Sequence, residues 1–125
     1  MTLPLFIVVV VAGGLGAGVR FVVDGLIRSR IRTAFPWATT VVNVSGSFAL
    51  GVVIGAALSN LLPPELAVVL GTGFLGGYTT FSTASYESVQ LIRQRRLAAS
   101  LVSGVLMLVL SVAAAALGLW LGSAF

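Results

Sequence analysis

The sequence predicts an all-α integral membrane protein with four transmembrane helices, the third broken near its middle. Three observations lead there. Of 125 residues, 58% are hydrophobic and 8% charged, with a mean hydropathy of +1.15, well outside the range of soluble globular chains. Charges fall only at Arg20, Asp24, Arg28, Arg30, Arg32, Glu65, Glu87, Arg93, Arg95 and Arg96, which leaves charge-free runs at 3–19, 33–64, 66–86 and 97–125. The stretch "GTGFLGGYTTFSTASYESVQ" (71–90) places Gly71, Gly73, Gly76 and Gly77 ahead of five hydroxyl residues, Thr79, Thr80, Ser82, Thr83 and Ser85, inside an otherwise apolar span.

Each charge-free run can supply the roughly 17–25 apolar residues needed to cross about 30 Å of hydrocarbon. The first span is placed at 3–27. Its opening "MTLPLFIVVVVAGGLGAG" lacks the basic leading region of a secretory signal peptide, so it is read as a helix that stays. Gly14 and Gly18 share one face and suit close helix packing, within the chain or against a second copy. Arg20, late in this span, reads either as a vestibule charge paired with Asp24 at i+4 or as a side chain snorkelling to the interface. The arginine-rich loop "RSRIRTAFPW" follows.

The second span is placed at 37–61, with Ser47, Gly51 and Gly55 again at four-residue spacing. Asn43 is the only amide in its hydrocarbon portion. Two roles suit it: its NH₂ group can donate to a passing anion, or a neighbouring helix backbone can satisfy it. An "NLLPPE" turn leads to the third span at 65–92, and an "RQRR" turn to the fourth at 97–122. Prolines 36, 63 and 64 fall at helix ends, where a missing N–H costs least.

Connections this short leave no room for a soluble domain, so 1–125 reads as a single four-helix unit. Without Cys or His, disulfide, zinc and thiol chemistry are excluded, and no catalytic constellation suggests an enzyme. The arginines sit at loop ends, which suits an anionic membrane surface rather than nucleic acid.

The glycine–hydroxyl stretch poses the functional question. Each glycine costs roughly 1 kcal/mol relative to alanine inside a helix, and a broken helix is tolerated in lipid only where freed backbone groups meet protein, ion or water. A break near Gly76–Thr80 would turn carbonyls toward a hard cation such as Na⁺, while half-helix N-termini and hydroxyls would attract an anion. The structural alternative is that small residues merely ease helix crossing. Phe81 among the hydroxyls can present the positive edge of its ring to an anion, or simply pack.

"GFLGGYTTFSTASYE" (73–87), "TTVVN" (39–43), an arginine late in the first span and four helices in about this length together resemble the Fluc (CrcB) family of bacterial fluoride channels. The resemblance implies an antiparallel, dual-topology-type dimer in the bacterial plasma membrane, with two pores, passive export of fluoride to relieve its toxicity, and a structural Na⁺ at the centre. By motif position, the backbone carbonyls of Gly76 and Thr79 would face Na⁺. Asn43, Phe81, Ser82 and Thr83 would line the fluoride path, with Arg20 in a vestibule and Glu87 in the path or anchoring a helix end. Ser103 and Ser111 occupy positions of a polar track that Met107 interrupts.

One departure from the family pattern concerns a ring. Relatives typically read F-S-T-F-S, whereas this chain has Ala84 where the second phenylalanine would stand. That leaves open a half-functional or non-conducting partner subunit. A small multidrug-type exporter would need a carboxylate within the first helix, and residues 1–23 contain none. All of Arg28, Arg30, Arg32, Arg93, Arg95 and Arg96 fall in the loops after spans one and three, so both termini are expected outside, and the dimer partner is either a second copy or an oppositely oriented paralogue.

Overall fold

The computed structural model describes residues 1–33 and 35–124, and among these there are helices and no strands. Helix α1 runs Leu3–Arg30 and α2 runs Trp37–Leu58. Then come α3 (Pro64–Val68), a π-helical segment (Val69–Leu75) and the single turn α4 (Gly76–Tyr78). Helix α5 spans Ser82–Arg93 and α6 spans Leu97–Ser123.

Three of these, α1, α2 and α6, are long and apolar enough to cross a membrane, and the chain is a multi-pass membrane protein. The stretch between α2 and α6 is not one continuous helix. Its backbone turns extended at Thr79 (φ −81°, ψ 159°) before α5 begins. The ends obey local rules: Thr2 Oγ1 accepts from the Leu5 amide, and Pro64 opens α3 where its missing N–H is free of cost. Helices α2 and α5 both close in paired 6→1 and 5→2 bonds, with Asn60 and Arg95 in the left-handed conformation at φ 59°.

Small residues set the packing. A methyl group at Gly16 would run into the Phe74 carbonyl and one at Gly77 into the Gly13 carbonyl, so α1 lies backbone-to-backbone on the π segment and α4. On the other side, Gly51 and Gly55 of α2 meet Gly118 and Gly122 of α6, again with no space for a Cβ. The two contacts run in parallel register, α1 beside the 64–78 stretch and α2 beside α6. Of the two readings of Gly14 and Gly18, packing within the chain does not hold: both face open space, while Gly13 and Gly16 make the contact inside the chain, and packing against a second copy stays open.

A hydrogen bond from Arg28 Nη2 to Glu87 Oε2 (3.3 Å) joins the end of α1 to the middle of α5, and Ser59 Oγ donates to the Ser123 carbonyl (3.3 Å) at the opposite end. The two arginine-bearing loops therefore share one end of the bundle. The N-terminus, the 59–63 turn and the end of α6 share the other.

Candidate functional site

The interruption at Thr79–Phe81 is closed by a side chain from another helix. Asn43 Nδ2 donates to the Thr80 carbonyl and Asn43 Oδ1 accepts from the Thr80 amide, both at 2.8 Å. A carboxamide carries the same donor and acceptor as a peptide unit, so α2 lends the broken segment one missing backbone partner. Asn43 Nδ2 also lies 3.3 Å from Met107 Sδ. Of the two sequence readings of Asn43, the structure gives it the backbone partner. Thr80 continues the repair: buried, it accepts the Thr83 amide on Oγ1 (3.1 Å), capping α5, and its hydroxyl lies 3.3 Å from that of Ser82.

These diversions release carbonyls. In an unbroken helix the Thr80 amide would bond the Gly76 carbonyl and the Thr83 amide the Thr79 carbonyl; here the first goes to Asn43 and the second to Thr80 Oγ1. Gly76 and Thr79 are the two residues whose carbonyls the resemblance to the Fluc family would turn to Na⁺. Thr79 Oγ1 donates back to the Leu75 carbonyl (3.0 Å), leaving its own carbonyl turned away from the helix. That carbonyl accepts from Arg20 Nη1 at 3.2 Å. The expected Arg20–Asp24 pair is therefore not formed. Asp24 instead binds Arg28 Nε at 2.8 Å, because Arg28, also four residues away, lies nearer Glu87 and Thr39, while Arg20 is drawn to the released carbonyl.

Around the break the candidate residues divide between two spaces. An open groove of about 710 Å³ is lined by Asn43, Gly76, Thr79, Phe81, Ala84 and Ser111, among others. Phe81 is 87% exposed there, and Ala84, where the missing ring would stand, faces the same groove. Ser111 Oγ is buried and has no hydrogen-bond partner among the described residues. A smaller cavity of about 270 Å³ on the other side holds Arg20, Asp24, Thr39, Thr80 and Thr83. Thr80 lines both.

The remaining candidates lie apart. Glu87 accepts from the Thr39 hydroxyl and from Arg28, which also holds Asp24, so α1, α2 and α5 are clamped at the arginine end. Ser82 is exposed beside Thr80. Ser103 is 1% exposed and donates to the Ser100 carbonyl (3.1 Å), while Ser100 ties α6 to α5 through the Ser88 carbonyl (3.0 Å). Sequence reasoning passed over Thr80, Thr39 and Arg28. The four-residue spacing of Gly118 and Gly122 was a readable signal, but nothing local marks Thr80 apart from its neighbours.

Among the described residues no group of three His, Cys, Asp or Glu is placed to hold a metal ion; the oxygens at the break are carbonyls and hydroxyls, a type that hard cations take. Comparison with known proteins decides the family. The sequence model described as "CrcB-like protein, Camphor Resistance (CrcB)" matches residues 7–122. The chain belongs to the CrcB family. Among curated CrcB relatives, the fluoride-specific ion channel FluC 1 of Leifsonia xyli subsp. xyli is 57% identical over 122 residues, covering 98% of this chain and 89% of the relative. FluC 2 of Cutibacterium acnes is 48% identical over 118 residues (92% and 94% covered), and FluC 2 of Mycobacterium tuberculosis 40% over 121 residues (97% and 93%).

Proposed function

We propose that this CrcB chain is a fluoride-selective channel that lets F⁻ leave the cytoplasm passively, and that it works as an antiparallel dimer around a structural Na⁺. The observation that carries the reading is the repaired break: one helix interruption presents two released carbonyls on one side and a hydroxyl-rich α5 start on the other, beside an open groove. Near-full-length relatives named as fluoride-specific channels support it. In this reading residues 64–93 form the third of four membrane crossings.

The chemistry suits the ion. Fluoride is small and tightly hydrated, so a path for it must replace water with hydrogen-bond donors while avoiding a deep electrostatic well. Serine and threonine hydroxyls supply donors without charge, and no lysine occurs in the chain. Arg20, in the smaller cavity with Thr83, offers a positive charge whose strength is moderated by the Thr79 carbonyl and nearby Asp24. Phe81 contributes a ring edge from the groove side.

The donor set fits Na⁺ as half a site. Gly76 and Thr79 carbonyls are hard oxygen ligands, the Thr79 oxygen having one lone pair besides the one that accepts from Arg20, and Gly76 carries no side chain to obstruct an approach through the groove. Two carbonyls fall short of a cation's shell, and a second protomer would double them. When bound, Na⁺ would supply the positive charge that holds two such breaks together. The exposed Phe81 and the open groove are what a second protomer would cover.

Reconstitution of the purified chain into liposomes, with release followed by a fluoride electrode, tests the function. Efflux of F⁻ without Cl⁻ is the expected result. Silence from a correctly folded, dimeric preparation would overturn it and favour a subunit that needs a different partner.

A further inference from the structure

At the arginine-bearing end, where α1 stops and α2 begins, the chain encloses a cavity of about 160 Å³ lined by Arg28, Ile31, Arg32, Thr33, Phe35 and the first turn of α2. It is separate from the break and from the groove. Its polar groups are donors, and no carboxylate lines it. Arg32 forms no ion pair among the described residues. Arg28 uses Nε for Asp24 and Nη2 for Glu87 and Thr39, so its Nη1 takes no part in the clamp. At the start of α2 there is no side-chain cap; the Trp37 amide donates to the Phe35 carbonyl (2.9 Å) and the Thr40 amide to the Pro36 carbonyl (3.1 Å), and Ala38 of that turn lines the cavity. Arg32, with no ion pair among the described residues, and the Nη1 that Arg28 has left over from its pairing with Asp24 and Glu87 call for an anion with several acceptor oxygens.

We propose that this cavity binds the phosphate headgroup of an anionic membrane phospholipid. Its position selects a lipid over a soluble anion. The cavity sits at the ends of two membrane-crossing helices, and Phe35 and Trp37 stand beside it with ring centroids 4.6 Å apart, the type of aromatic that settles at a membrane interface. Ile31, itself in the cavity wall, is exposed, and Leu26 and Val22 on α1 and Val41 on α2 continue an exposed apolar surface toward the hydrocarbon. A headgroup in the cavity thus leaves its acyl chains a track. The basic loops at this end draw anionic lipid to the site.

Trp37 is a built-in reporter, and with Trp120→Phe it becomes the only tryptophan. The protein in phosphatidylcholine vesicles would be titrated with phosphatidylglycerol brominated on its acyl chains, and separately with equally brominated phosphatidylcholine. Trp37 quenching should favour the anionic lipid by about fivefold in apparent affinity, which corresponds to about 1 kcal/mol, the typical worth of one basic side chain at a membrane surface. Arg32→Gln should bring the ratio close to one while leaving fold and fluoride flux unchanged, because Arg32 makes no ion pair within the chain. Arg93→Gln, at the same end but outside the cavity, should preserve the preference. Equal quenching by the two lipids would overturn the proposal, as would an equal loss in Arg93→Gln, which would reduce the effect to general surface charge. Complete displacement of the brominated anionic lipid by inorganic phosphate would assign the cavity to a soluble anion instead.

Discussion

Both ends of the Asn43 amide are held by the Thr80 backbone at 2.8 Å, and this determines what substitution there does. Asn43→Ala leaves a buried amide and a carbonyl without partners, at about 1–3 kcal/mol each, so the thermal midpoint in detergent should fall together with flux. Asn43→Asp can still accept the Thr80 amide but sets a carboxylate against the Thr80 carbonyl and against any passing anion, so fluoride efflux should vanish. Wild-type flux in a folded Asp variant would remove Asn43 from the fluoride path. At the groove, Phe81→Ile should reduce flux while the dimer persists, and Ala84→Phe, adding a ring to the same wall, should raise flux or leave it unchanged. Loss of transport in an assembled Ala84→Phe channel would show that alanine is fitted to this pore. The residue types at Asn43, Gly76 and Thr79 were legible because an amide, a glycine run and hydroxyls are conspicuous in an apolar chain. Which partner each takes was not, since Asn43 meets Thr80 only through the register between α2 and the break.

Close backbone contact makes α2 and α6 the element pair least tolerant of bulk. Gly51→Leu would drive a side chain into the Ala115 carbonyl and the Leu119 amide, and Gly118→Leu would meet Phe48 and Val52 backbone. Overpacking commonly costs about 1–3 kcal/mol, and backbone cannot yield as side chains do, so either variant should lower the unfolding midpoint and yield. Gly14→Leu, on the outward face of α1 with open space around it, should leave the protomer's stability unchanged, and a large loss there would place Gly14 in a contact between chains. A second element-scale case is the end of α5. Arg95 holds φ 59° in a helix-terminating motif whose bonds are the Arg96 amide to the Leu91 carbonyl (2.8 Å) and the Arg95 amide to the Ile92 carbonyl (2.9 Å). Glycine adopts that conformation without the Cβ penalty of roughly 1–2 kcal/mol, so Arg95→Gly should raise the midpoint, and a drop would mean that the arginine side chain holds the turn. Helix existence and ends were readable from charge-free runs and prolines. The choice between Gly14/Gly18 and Gly13/Gly16 was not, because "AGGLGAG" carries both stripes, and the π-helical turn at Val69–Leu75 leaves no periodic mark beyond its glycines.

For the whole molecule the arginines pose the sharpest question. The Arg28–Glu87 and Ser59–Ser123 bonds put the loops after α1 and α5 at one end and both termini with the 59–63 turn at the other. The first end holds Arg28, Arg30, Arg32, Arg93, Arg95 and Arg96, and the second holds no Lys or Arg. Basic residues in short loops stay cytoplasmic, so the termini should face outside. An antiparallel pair of identical chains, however, requires each chain to insert both ways, which calls for a bias near zero. Six against none is a strong bias: an orientation fixed by it would require an oppositely oriented partner chain, whereas a chain that inserts both ways pairs with its own copy. Single cysteines at Ser29 and Ser123, probed in whole cells with a membrane-impermeant thiol reagent, separate the cases. Labelling at Ser123→Cys alone is what the arginine bias by itself predicts, and it would fix one orientation and require a separate partner chain. Equal labelling at both positions would show that the chain inserts both ways and can build the antiparallel dimer by itself, whatever its arginine count.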